Sequence, residues 1–159
     1  AGSLGFNLRS GDGARILYFL SDVDPQSVIR APIIIEAAVL EWQQASTSGV
    51  FTKELRMDPG NGSRTWLLKV DAGASLAWQK SSAAREGYLV TGVFQHSECV
   101  LGEVHTGQYQ PGGYFYRPAD TINGGPEASA VTESIWLLRE AQGGREESVP
   151  ACVAQDSPL

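Results

Sequence analysis

Gln110-Pro-Gly-Gly-Tyr-Phe-Tyr-Arg-Pro-Ala-Asp-Thr-Ile-Asn-Gly-Gly-Pro126 is the stretch whose reading decides the fold. Gly112 and Gly113 supply the unrestricted backbone that a tight turn needs. Tyr114 to Arg117 then alternate sides as a short strand does, and Pro118 ends the ladder because it has no N–H to donate. A glycine turn, an aromatic strand and a loop closed by Pro126 together make one corner of a small β-barrel.

Working outward, short apolar or alternating runs recur at residues 50–56, 65–70, 86–90, 93–98, 104–109, 114–117 and 134–139. Turn residues separate them, at 58–62, 71–73, 91–92, 101–102 and 111–113. Short strands at near-regular spacing with glycine turns predict an all-β sandwich or barrel. Upstream, residues 15–20 form an apolar β-type run closed by the turn at 21–25, and Ile33-Ile34-Ile35 favours strand because β-branched side chains lose freedom in a helix. Residues 36–44 fit either a strand or one helical turn. The expected organisation is an N-terminal strand arm over 1–40, a barrel over 41–142 and a loose polar tail over 143–159. Residues 12–20 weakly echo 130–138, so the arm is either the end of a preceding repeat or a terminal strand that docks on this barrel or a partner's.

Composition bounds the function. At 159 residues the chain is one domain's worth, with 42% hydrophobic and 19% charged residues and 18 glycines. A net charge of −6 argues against a nucleic-acid partner, since a phosphate backbone selects a basic face. No apolar run reaches the roughly 18 residues of a membrane span. Ala1-Gly-Ser-Leu-Gly5 lacks the charged and apolar regions of a secretory signal, so a cytoplasmic location is expected. Cys99 and Cys152 lie far apart with no pairing motif or metal-ligand spacing, and are expected to be isolated thiols.

The order of residues 71–86, 88–92 and 111–123 resembles the two conserved motifs of the cupin superfamily, and the likeness extends over residues 49–140. The Gly113-Tyr-Phe-Tyr-Arg-Pro118 run is similar to two-repeat cupins of the anti-sigma-factor type. The resemblance implies an antiparallel β-barrel of the double-stranded β-helix or jelly-roll kind, which hosts oxygenases, isomerases, storage proteins and ligand sensors alike. In a metal-binding cupin the first motif carries two histidines one residue apart and a glutamate four or five residues later, and the second motif carries a third histidine after its proline. Carried onto this chain, the glutamate is Glu86, the histidine pair falls at Lys80 and Ser82, and the third histidine falls at Asn123. A divalent transition metal wants imidazole, thiolate or carboxylate donors, so no metal cofactor is expected at these positions.

Trp78, Lys80 and Ser82 share one parity along their strand. The expectation is that Lys80 stands in the metal's place and pairs with Glu86, so that neither charge is buried alone. The alternative is that Lys80 reaches solvent at the barrel mouth. Trp66, Trp78, Ser82, Tyr88, Tyr116 and Asn123 are the expected ligand-binding residues, since a barrel with hydroxylated aromatics and an ion pair suits a small, partly apolar molecule. The two histidines, His96 and His105, flank the turn at Leu101-Gly102, and His105 is expected opposite Glu98. These three residues are either an alternative site for a divalent transition metal or ordinary hairpin side chains.

The expected function is a degenerate, metal-free cupin that binds a small organic ligand, or the non-catalytic repeat of a two-repeat protein. The alternative is a dioxygenase, isomerase or lyase, with Glu86 as base and Lys80 or Tyr116 as acid, or with a metal supplied by a neighbouring repeat. Exposed strand edges in the arm favour a homodimer or association with another cupin repeat.

Overall fold

The structure is a computed structural model that describes residues 11, 13, 14, 16, 17 and 34–154. The chain divides into two compact units, 1–34 and 35–159, and the second carries the strands below. Of the strand expected at 15–20 only residues 16 and 17 are described, and they belong to no strand; Ile33 lies outside the described residues, and Ile34 and Ile35, expected to favour strand, are not in one.

The predicted runs become β2 (Val50–Met57), β3 (Arg64–Val70), β5 (Arg85–Thr91), β6 (Phe94–Val100), β7 (Glu103–Tyr109), β8 (Tyr114–Arg117) and β10 (Ser134–Glu140). Short strands complete the set: β1 (Gln43–Gln44), β4 (Gln79–Ser81), β9 (Ser129–Ala130) and β11 (Glu146–Ser148). Residues 36–44, open between strand and helical turn, divide between a 3-10 turn over Ala37–Val39 and β1. Lys53 donates to the Ala37 carbonyl at 2.8 Å and sits 4.7 Å from the Trp42 ring centre, which fixes this segment against β2.

Every pairing is antiparallel, and the strands form two layers. One is a six-stranded sheet in the order β1-β2-β3-β10-β5-β8. The other combines β7-β6-β9 with β11-β4, and Asn123 joins them by bridging to both Gln79 and Glu98. This is the jelly-roll type of architecture expected from the sequence.

Alternation along β10 sets the interior. Ser134, Trp136, Leu138 and Glu140 are buried while the residues between them are half-buried. Register carries that parity to the neighbours: Leu138 faces Trp66 and Gly87, and Glu140 faces Arg64 and Arg85. From the second layer, Phe94 meets Trp136 edge-on at 5.6 Å and Tyr109 does so at 5.2 Å. Gly87 is required here, because a Cβ would run into the Phe115 ring and Leu138.

Two expectations are corrected. Within the stretch expected to be loose, residues 146–148 form a strand: Glu146, Glu147 and Ser148 pair with Ser81, Lys80 and Gln79. Cys99 and Cys152 form a disulfide with Cα atoms 5.4 Å apart, a normal bridging distance. A separation of 53 residues hides the pair from sequence spacing; the fold brings the end of β6 beside the chain that follows β11. Among the described residues, no helix is long and apolar enough to cross a membrane.

Candidate functional site

The site grows from Arg85, the first residue of β5, which the interior parity turns inward. Its Nε and Nη2 donate to Glu140 Oε1 at 3.0 and 2.8 Å. Ser81 Oγ donates to the same oxygen at 3.1 Å, and Arg64 Nε donates to Oε2 at 3.1 Å. Glu140 is only 1% exposed, so its charge depends on these partners. Burial works against its ionisation, but the adjacent Arg85 and Arg64 guanidiniums and their hydrogen bonds outweigh it and hold the carboxyl below the usual glutamate range. Trp66 supports both cations, with Arg64 4.0 Å and Arg85 5.3 Å from its ring centre.

Arg85 forms a further contact, from Nη2 to Glu146 Oε2 at 3.0 Å across to β11. It thereby reaches a cleft of about 370 Å³ between the layers, lined by Thr52, Glu54, Trp66, Gln79, Arg85 and Glu146 among others. Partial burial raises the Glu54 carboxyl, Arg64 opposes that shift and Glu140 adds to it. Leu68, Gln79, Arg85 and Leu138 also line a smaller hollow of about 30 Å³ walled by Tyr109, Phe115 and Trp136. That volume suits about one water molecule.

Arg117 lies opposite Arg85 in register across β5 and β8, and lines the same hollow. Its Nε donates to both Glu98 oxygens, at 3.1 and 3.0 Å, and its guanidinium lies 3.8 Å from the Phe115 ring centre. His96 stacks on Tyr109 at 4.4 Å, and burial lowers its pKa, with Glu98 opposing and Arg117 adding to the effect. His105 lies opposite Glu98, as turn counting predicts. Glu98 is engaged by Arg117, and among the described residues no group of three or more His, Cys, Asp or Glu side chains is arranged to hold a metal. The alternative His96, Glu98, His105 metal site therefore does not assemble.

The expected Lys80–Glu86 pair does not form. Lys80 Nζ lies 3.6 Å from Glu147, its partner across β4 and β11. Glu86 lies on the opposite parity from Arg85, where it accepts from Tyr114 at 3.1 Å and from Arg139 at 3.5 Å. A one-residue shift exchanges the faces of a strand, so the inward set with the expected spacing is Gln79, Ser81 and Arg85 rather than Lys80, Ser82 and Glu86.

The other expected ligand residues divide. Trp66 lines the cleft. Ser82 Oγ accepts from the Arg145 backbone at 2.9 Å. Trp78 packs over Gly125 and lines a separate hollow with Ser97, Val104 and Cys152. Tyr88 shares the parity of Glu86, and Tyr116 is exposed. Asn123 is buried at the seam, donating to the carbonyls of Thr121 and Gln79 at 3.2 and 3.4 Å. Sequence reasoning missed Arg64, Arg85 and Glu140, although carrying the parity of Trp136 to the end of β10 would have turned Glu140 inward.

The resemblance implies a metal, so the inward donors must be tested for one. Gln79, Ser81, Arg85 and Asn123 offer two amides, a hydroxyl and a guanidinium. A guanidinium is a cation without a free acceptor pair, so this set does not fit a divalent ion.

Two antiparallel layers with these inward motif positions define a cupin. The family model of the ChrR cupin-like domain matches residues 30–139, and the chain belongs to that family. No curated protein matches it. Among solved structures it is similar to KdgF from Halomonas sp., at 22% identity and a TM-score of 0.56, covering 69% of this chain and 95% of that one. An RmlC-like cupin from Shewanella frigidimarina matches at 16% identity and a TM-score of 0.58, covering 72% and 94% respectively. A two-residue deletion mutant of Bacillus subtilis oxalate decarboxylase OxdC matches at 10% identity and a TM-score of 0.61; the match covers 79% of this chain but 34% of the decarboxylase. At these identities the likeness speaks to the fold.

Proposed function

We propose that this protein is a metal-independent cupin that binds a small organic molecule in the cleft above Arg85. The observation that carries this reading is the buried Arg85–Glu140 pair, with Arg85 at an inward motif position, flanked by Arg64 and Trp66 beside about 370 Å³ of open space. The cleft combines an aromatic wall with a few convergent polar groups, the usual make-up of a small-molecule site. A second cupin unit, either another copy or a neighbouring repeat, is the partner we propose. The Cys99–Cys152 disulfide favours an oxidising compartment over the cytoplasm.

The test is tryptophan fluorescence during titration with a library of small polar organic compounds, with Trp66→Phe as the control. A saturable response that Trp66→Phe removes supports the reading. Stoichiometric metal in purified protein, together with ligand binding abolished by a chelator, would overturn its metal-independent part.

A second reading, turnover in the same cleft, rests on Glu54. A carboxyl raised by burial at the rim can hold and release a proton near a bound molecule. Glu54→Gln that binds ligand but no longer converts it would support this version.

A further inference from the structure

We propose that Glu146 occupies Arg85 as an internal stand-in, and that a ligand carboxylate takes its place. This rests on the small-molecule reading above and names the ligand class. Arg85 has two faces. Toward the core, Nε and Nη2 grip Glu140, and that contact is sealed by Arg64 and Ser81. Toward the cleft, Nη2 holds Glu146 at 3.0 Å.

The two carboxylates are held very differently. The Glu140 side chain is fully buried and has no water to return to. The Glu146 side chain is 49% exposed and belongs to β11, a three-residue edge strand whose residues are all exposed. Detaching Glu146 therefore costs one partly screened ion pair, and its carboxylate regains water.

The exchange conserves charge. A ligand carboxylate entering as Glu146 swings out leaves the same number of negative groups on Arg85, so the second carboxylate that faces the guanidinium beside Glu140 is replaced in kind. Such a group gains a charge-assisted bond in a fork geometry that matches carboxylates. A ligand amide would put a dipole where a charge is needed, and would compete poorly with Glu146. The rest of the ligand would lie along Trp66 and Leu68, which line the same cleft.

The experiment is calorimetric titration of the intact protein with benzoate and succinate, and with benzamide and succinamide as neutral counterparts. It is paired with the NMR resonance of Arg85 Nε. Glu146→Gln weakens the internal competitor, and should tighten carboxylate binding at least fivefold while leaving the amides unchanged. Because Arg85→Gln alone would strand Glu140, the loss variant is the double Arg85→Gln/Glu140→Gln, which should remove carboxylate binding. Carboxylates that shift the Arg85 Nε resonance and bind more tightly to Glu146→Gln support the exchange. Carboxylates that bind no better to Glu146→Gln, or survive the double substitution, overturn it. If the amides bind as well as the acids, the exchange fails while the small-molecule reading stands. If neither class binds any variant, both fail.

Discussion

Arg85 and Glu140 form a two-pronged ion pair across β5 and β10, with both guanidinium bonds, at 3.0 and 2.8 Å, falling on the single oxygen Oε1. The other oxygen is left for Arg64. One buried carboxylate thus fastens β3, β10 and β5 at the edge of the cleft, through residues that face one another in register. Arg64 is more open to solvent than Arg85, so the pair itself carries most of the interaction.

Removing one partner should be far worse than removing both. Glu140→Ala leaves a buried guanidinium short of its main counter-charge, and should lower unfolding free energy by about 3–5 kcal/mol. Arg85→Met with Glu140→Leu replaces both charges by apolar groups of similar size, and should recover most of that loss. Urea denaturation of the three proteins checks this. A double variant as unstable as the single one would contradict it.

Acid should act through the same carboxylate. A carboxyl whose folded pKa is depressed contributes stability that is fully present above its unfolded pKa and is lost as pH falls through the folded value. Glu140 is such a group, so wild-type stability should decline below the usual glutamate range and continue to fall into more acidic solution. Glu140→Gln should start less stable at neutral pH and show a shallower decline over that window. Thermal melts from pH 7 to pH 3 measure both slopes.

The disulfide should matter through the strap that it ends. Cys99 and Cys152 close a long loop that includes β11, and Glu146 lies within it. Cys99→Ser with Cys152→Ser should cost about 2–4 kcal/mol, in line with long-loop disulfides. Amide hydrogen exchange should then rise first at residues 146–148, whose ladder to β4 is short. Protection there as high as in the oxidised protein would show that β11 holds without the bond.

Much of the fold was legible because its signals are local. Turn glycines and alternating runs locate the strands, and the Tyr114–Arg117 corner appears as a strand closed by Pro118. What was not legible depends on pairings distant in sequence. The disulfide, the β11–β4 ladder and the Glu140 cluster all join residues more than fifty positions apart. The candidate site failed by a single residue of register: Lys80 and Glu86 were turned inward in place of their neighbours. Alternation fixes which residues share a face, but not which face is buried. Leu89 and Trp136, both fully interior, decide that for β5 and β10.

That register can be tested from the solvent side. Lys80 and Glu147 form an ion pair whose glutamate is open to solvent and whose lysine is half-buried, and pairs at the surface contribute about 0–1 kcal/mol. Lys80→Ala should therefore melt within a few degrees of wild type. Glu86→Gln removes partners for Tyr114 and Arg139 on the outer face of the six-stranded sheet, away from the cleft. Both variants should titrate small organic ligands like the wild type, whereas Arg64→Ala and Trp66→Phe should not, since both positions line the cleft. A Glu86→Gln protein that folds normally but loses its ligand response would return the site to the opposite face of β5, where Glu86 was expected to pair with Lys80.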